Sequence, residues 1–212
     1  MVKKIRALIF DICGVLYLAK DNSREKNLLN SFREACFLLN KFGLDAPNSV
    51  DSLLHTYLKS SIGQISKKET LKEMSRELSI SPEKTEQLFK KIYKENTKEN
   101  KELYSFILNL KKRGYLLGIL STLFHLSKPV FAPQKYFDDF DALEISCDDQ
   151  LRKPDPKSFG LILSRLNVKA EESVFIDDQE KNVAAAKKLG MNGVLFKDNK
   201  SLFLEFKKLG IQ

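Results

Sequence analysis

Hydrophobic positions along the chain fall into three textures. Ile5-Arg6-Ala7-Leu8-Ile9-Phe10 is short, almost wholly apolar and ends at Asp11. Such a run suits a strand buried on both faces, as in a parallel sheet. Gly14 then lets the chain turn sharply. From Tyr17 to Asn100 nothing reads as a buried strand. Apolar residues recur instead at helical spacing, first through Leu28, Leu29, Phe32, Ala35, Cys36, Leu39 and Phe42. Ser66 with Glu69 forms a capping-box pattern ahead of Leu71, Met74 and Leu78. Ser81-Pro82 reads as an N-cap followed by proline at the first helical position, leading into Leu88, Phe89, Ile92 and Tyr93. The stretch predicts about four helices in a small bundle.

Beyond Asn100 the pattern changes again. A helix through Leu103, Phe106, Ile107 and Leu110 should stop at Lys112-Arg113-Gly114, where basic residues and glycine close a C-terminus. Apolar strand candidates follow at Leu116 to Leu120, Ala142 to Ile145, Val174 to Ile176 and Gly193 to Phe196. Helical patterns at Lys157 to Leu166 and Asn182 to Leu189 lie between them. Strands alternating with helices predict an α/β fold, a doubly wound, Rossmann-like parallel sheet, with the helical bundle inserted after the first strand.

In such a sheet, ligands bind at the carboxyl ends of the strands. Asp11 follows the first strand, Ser121 and Thr122 the second, and Asp177 and Asp178 the strand at Val174 to Ile176. Lys153 lies in Arg152-Lys153-Pro154-Asp155-Pro156, just ahead of a helix. Clustered carboxylates do not all stay ionised without a counter-charge. A hard divalent cation with oxygen ligands resolves this, and Mg²⁺ accepts one or two carboxylates plus a phosphate oxygen. Lys153 and the Ser121 hydroxyl then suit the remaining phosphate oxygens, and an aspartate beside Mg²⁺ suits nucleophilic attack on phosphorus.

Four pieces together resemble the haloacid dehalogenase-like (HAD) hydrolase superfamily, in its phosphatase-like branch. They are Phe10-Asp11-Ile12-Cys13-Gly14-Val15-Leu16, Ile119-Leu120-Ser121-Thr122, Arg152-Lys153-Pro154-Asp155-Pro156 and Phe175-Ile176-Asp177-Asp178-Gln179-Glu180-Lys181-Asn182. They stand in the family's order, and the insertion lies where that branch carries a cap. The resemblance implies a core of residues 1–16 and 101–212 and a cap of residues 17–100. It implies Asp11 as nucleophile and metal ligand, Ser121 and Thr122 as phosphate-binding, and Lys153 as the lysine that steadies nucleophile and phosphate. Asp178 is implied as the second metal carboxylate, with Asp177 and Asn182 supporting it from the outer shell. The implied substrate is a small phosphorylated metabolite, hydrolysed with Mg²⁺ by a monomer or homodimer.

Cys13 departs from the pattern. The family's phosphatases usually carry a second aspartate there, whose backbone carbonyl ligates the metal and whose side chain protonates the leaving group. A thiol retains the carbonyl but is a poor acid, and losing general acid–base help costs on the order of 10²–10⁴ in rate. Three readings follow: a phosphatase with another proton donor or with good leaving groups, a catalytically weak or inactive HAD-like binding protein, and a 2-haloacid dehalogenase. Asp177-Asp178 weigh against the last, whose branch lacks the acidic pair. His125, four residues after Ser121, is read first as structural and second as an alternative proton donor. The cap's Phe and Tyr residues are read as bundle core.

Composition narrows the alternatives. The chain has 212 residues and is 42% hydrophobic, too apolar for disorder. A chain of this length buries roughly 70% of its unfolded surface and needs no staples. Its 3 cysteines form no CxxC pair, so a reducing cytoplasm is the simplest compartment. No run approaches the ~18 apolar residues that span a bilayer, so no membrane role is expected. The net charge of +8 suggests nucleic acid. The basic excess is spread over core and cap with no nucleic-acid motif, however, and it is read as a lysine-rich surface that attracts anions.

Overall fold

The computed structural model describes residues 4–20, 39 and 50–211. Five strands form one parallel sheet: β1 (Ala7–Phe10), β4 (Leu116–Ser121), β5 (Ala142–Ile145), β6 (Ser173–Asp177) and β7 (Asn192–Leu195). Their order is β5-β4-β1-β6-β7. The chain winds outward from β1 to β5, then returns to the other side of β1 for β6 and β7. The winding therefore reverses beside β1, which places a crevice at its carboxyl end. Each of these strands lies within about two residues of its expected position.

Pleating sends alternate residues of β1 to opposite faces. Ala7 and Ile9 join a core cluster with Phe159, Ile162, Phe175 and Ala186. These belong to α8 (Pro156–Leu166), β6 and α9 (Glu180–Lys188). Leu8 and Phe10 join a second cluster with Leu103, Ile107 and Leu110 of α4 (Lys101–Lys112) and with Leu202 and Phe206 of α10 (Asn199–Lys208). Burial on both faces explains why β1 carries no polar alternation. The sequence reading omits α10 and the short helices α5 (Lys128–Phe131), α6 (Gln134–Asp139) and α7 (Ser146–Asp149).

The inserted stretch is helical: α1 (Val50–Ser61), α2 (Lys67–Leu78) and α3 (Pro82–Asn96). The helix expected from Leu28 to Phe42 lies outside the described residues, except Leu39, which is helical and buried. Ser66 and Glu69 form both bonds of the capping box, and Ser81 caps α3 with Pro82 in its first turn. The expectation of no strand in this stretch refers to buried strands, and its two ends add a short, mostly half-buried one. Strands β2 (Tyr17–Ala19) and β3 (Thr97–Glu99) pair antiparallel, so the chain leaves and re-enters the core as a ribbon. Three half-buried residues are too few for a period-2 signal. Asn100 ties the ribbon down: its N–H donates to Leu16 O at 2.8 Å and its amide to Val15 O at 3.1 Å.

The cap helices rest on the turn that follows β4. The Phe124 ring meets Tyr57, Phe89 and Tyr93 with centroids 5.1, 5.8 and 6.4 Å away. His125 donates its backbone N–H to Ser60 Oγ at 3.3 Å, and its Nε2 lies 3.1 Å from Ile65 O. Among the described residues no helix is long and apolar enough to cross a membrane.

Candidate active site

Register brings the chemistry together. Phe10 pairs with Ile119 on one side and Ile176 on the other. Asp11, Ser121 and Asp177 therefore emerge at the same sheet edge. Asp11 is 4% exposed. Its Oδ1 accepts from the Ser121 hydroxyl at 2.7 Å and from the Ile12 N–H at 2.6 Å. Its Oδ2 lies 2.9 Å from Lys153 Nζ.

Lys153 also reaches Asp177 Oδ2 at 2.7 Å. Asn182 Nδ2 donates to both Asp177 oxygens, at 3.1 and 3.0 Å, and the Gln179 N–H donates to Oδ1 at 2.8 Å. Both Asp177 oxygens are thus engaged, Oδ2 by Lys153 and Oδ1 by the Gln179 N–H, with Asn182 bridging the two. Carboxylate oxygens of Asp11, Asp177 and Asp178 lie within 4.8 Å of one another. Gly14 explains how Asp178 comes so close. Gly14 sits at φ +85°, and a β-carbon there would overlap the Asp178 carboxylate.

Electrostatics follow from this burial. Burial pushes the Asp11 carboxyl up to about 7 against the pull of Lys153, and Asp177 and Asp178 add to the rise. Burial alone would lower Lys153, but the Asp11 and Asp177 carboxylates outweigh it and hold the ammonium above its usual range. Burial, then the Asp11 charge, pushes the Cys13 thiol well above the usual thiol range. Cys13 therefore remains a protonated thiol at neutral pH.

The edge opens into a small cavity of about 60 Å³, lined in part by Asp11, Cys13, Thr122, Lys153 and Asn182. Ser121, Asp177 and Asp178 join the same cluster through the contacts above. Asp11, Cys13, Ser121, Thr122, Lys153, Asp177, Asp178 and Asn182 thus converge, whereas His125 does not. The cavity adds residues the sequence reading missed: Tyr57, Arg152, Gln179 and Lys181. Arg152, Gln179 and Lys181 lie within the quoted motif segments but carry no role there, and that position is the available signal. Tyr57 comes from α1 and corrects the reading of the cap aromatics as bundle core alone. Phe89 and Tyr93 do fit that reading, being buried. His125 does not line the cavity; its ring faces Ile65 O.

A further buried acid lies on β5. Glu144 on β5 is 1% exposed, and its Oε1 has no hydrogen-bond partner among the described residues. Burial, with Asp149 adding to it, raises its carboxyl to about 8.

The donor set suits a hard cation. The oxygens are carboxylate, the cluster is crowded and buried, and a divalent ion would supply the positive charge that Lys153 alone does not.

A doubly wound sheet with a buried aspartate–lysine pair at its switch point and a helical cap above defines a capped α/β hydrolase. The chain belongs to the haloacid dehalogenase-like hydrolase family, whose sequence model matches residues 5–190. Among curated relatives, it is 34% identical over 110 residues to the glyceraldehyde 3-phosphate phosphatase of Pyrococcus furiosus, covering 48% of this chain and 44% of that protein. It is 32% identical over 99 residues to mouse acyl-CoA dehydrogenase family member 10, covering 46% of this chain and 9% of that protein. The chain thus spans less than half the length of these relatives. A HAD family enzyme from Bacteroides thetaiotaomicron, solved as a magnesium complex, superposes with a TM-score of 0.73 at 20% identity, covering 95% and 99% of the two chains. A HAD-like family hydrolase from Porphyromonas gingivalis gives 0.73 at 24% identity, covering 99% and 100%. These two likenesses concern the fold.

Proposed function

We propose that the protein is a Mg²⁺-dependent phosphatase acting on a small phosphomonoester, with Asp11 as nucleophile. One observation carries the reading. A buried carboxylate is held between the Ser121 hydroxyl and the Lys153 ammonium, at the mouth of a cavity of about 60 Å³. We assign residues 17–100 to the cap and residues 1–16 and 101–212 to the core.

In this reading Asp11, Asp178 and the Cys13 carbonyl would hold Mg²⁺, which would supply positive charge to offset the carboxylates and the phosphoryl oxygens. Asp11 attacks phosphorus, the bond to the leaving oxygen breaks, and a phospho-aspartate forms. Lys153 orients Asp11, opposes the rise that burial imposes on its carboxyl, and returns one positive charge to the transferring group. Ser121 and the Thr122 N–H bind the phosphoryl oxygens. Asp177 and Asn182 fix Lys153. Water then attacks the phosphorus of phospho-Asp11 and releases phosphate. The cap excludes bulk water and shapes the space for the alcohol.

The paired acids Asp177 and Asp178 favour this reading over a metal-free dehalogenase. The protonated Cys13 favours slow turnover on poor leaving groups. Purified protein with Mg²⁺ should hydrolyse p-nitrophenyl phosphate, and Asp11→Asn should abolish that hydrolysis. Release at background level from the wild type supports a binding protein instead. Metal-independent halide release from a 2-haloacid supports the dehalogenase.

A further inference from the structure

The turn between α7 and α8 sets two cations side by side. The Asp155 N–H closes it on Arg152 O at 2.9 Å, and the Asp155 carboxylate accepts from the Lys157 N–H at 2.9 Å to start α8. Lys153 turns inward, where Asp11 and Asp177 hold it. Arg152 stays half-buried and lines the cavity. Among the described residues its guanidinium has no ion pair and no hydrogen bond. The acids nearest to it in the chain are engaged elsewhere, Asp148 by Lys128 and Asp149 by Arg165. A guanidinium carries five donors in a flat fork that matches the two oxygens of a carboxylate or phosphate.

In-line transfer places the leaving oxygen opposite Asp11, so the alcohol extends from the phosphoryl group toward the cap. Arg152 lies on that side. It shares the cavity with Tyr57 of cap helix α1, and its charge acts on the Tyr57 phenol against the larger effect of burial. The phosphoryl oxygens have other partners in the phosphatase reading, namely Lys153, the Ser121 hydroxyl and the Thr122 N–H. Lys181, the remaining cation that lines the cavity, is exposed. Arg152 is therefore the half-buried cation that the phosphoryl group does not require.

We propose that Arg152 selects phosphomonoesters whose alcohol carries a second anionic group, a carboxylate or a second phosphate. The proposal rests on the phosphatase reading above and deepens it. The guanidinium pairs both oxygens of such a group at once, and partial burial strengthens the pair relative to open water. An uncharged alcohol offers the fork no acceptor. The contact is made in the bound substrate and does not change as the phosphorus–oxygen bond breaks. Selection therefore acts through binding, and its loss appears in KM rather than in kcat.

Calorimetry at saturating Mg²⁺ compares non-hydrolysable probes of similar length: propylphosphonate, 3-phosphonopropionate and propane-1,3-diphosphonate. At least one of the two with a second anion should bind roughly 10–100-fold tighter than propylphosphonate. The tighter of the two identifies the group. Arg152→Met should remove that advantage while propylphosphonate still binds, which shows the site intact. In turnover, the same variant should raise KM for the matching ester by that factor. Doubly anionic probes that bind no tighter than propylphosphonate would overturn the proposal. So would an Arg152→Met variant that weakens every probe equally, because Arg152 would then hold the phosphoryl group itself. Both results are compatible with Asp11-dependent hydrolysis of p-nitrophenyl phosphate. Absence of that hydrolysis from the wild type would overturn the phosphatase reading, and the proposal with it.

Discussion

Glu144 allows a stability prediction that is independent of catalysis. The residue sits in β5, paired in register with Leu120, and is buried with Oε1 unsatisfied among the described residues. Burial raises its carboxyl from 4.5 to about 8, with Asp149 and Asp11 adding to the rise and Lys153 and Arg165 opposing it. The folded protein therefore keeps this proton between those values while the unfolded chain releases it. The proton's contribution to stability is complete below pH 4.5 and declines as pH rises toward 8. At about 1.4 kcal/mol per pH unit, holding the proton at pH 7 costs about 3 kcal/mol, and at pH 5 under about 1 kcal/mol. Glu144→Met keeps the volume and removes the titration. Relative to wild type, the variant should gain roughly 2–3 kcal/mol on going from pH 5 to pH 7, a shift of about 1 M in urea midpoint. Urea unfolding followed by circular dichroism at both pH values measures this directly. Midpoints that differ by the same amount at pH 5 and pH 7 would refute the reasoning, because Glu144 would then titrate as an ordinary surface acid.

Two other substitutions probe the site's construction. Gly14→Ala forces a side chain into a positive φ, costing about 1–2 kcal/mol, and pushes on the Asp178 carboxylate. The Mg²⁺ concentration for half-maximal activity should rise on the order of tenfold, and an unchanged value would separate Asp178 from the metal. Lys153→Met leaves Asp11 and Asp177 buried without their shared cation. Thermal or urea unfolding should show a loss of about 3–5 kcal/mol at neutral pH, together with loss of turnover. A loss below about 1 kcal/mol would mean that the pair contributes little to the fold.

The sheet and its edge were readable because doubly buried strands and strand-ending acids leave strong local marks. Val174 to Ile176 followed by Asp177-Asp178 is one such mark. The Ser66–Glu69 capping box and the Ser81-Pro82 start are others, since each cap is a contact within one helical turn. What escaped depends on distant contacts. The β2–β3 ribbon joins residues about eighty positions apart, and neither three-residue strand shows a period by itself. Tyr57 carries no motif. Its place in the cavity follows from how α1 packs on Phe124, which only the folded cap defines. Glu144 reads as the polar member of an alternating strand, yet it points into a buried environment. The Cys13 departure was legible at once, while its consequence for proton transfer required the neighbours that the cavity brings to it.

The nucleophile assignment has a direct chemical test. Protein mixed with a phosphate ester and Mg²⁺, then quenched in acid during turnover, should carry phosphate as an acyl phosphate on the peptide containing Asp11. Peptide mass mapping locates it, and hydroxylamine removes it. Asp11→Asn should carry none and should not turn over. Phosphate found on another residue, or an Asp11→Asn variant that still hydrolyses the ester, would contradict the assignment of Asp11 and the mechanism built on it.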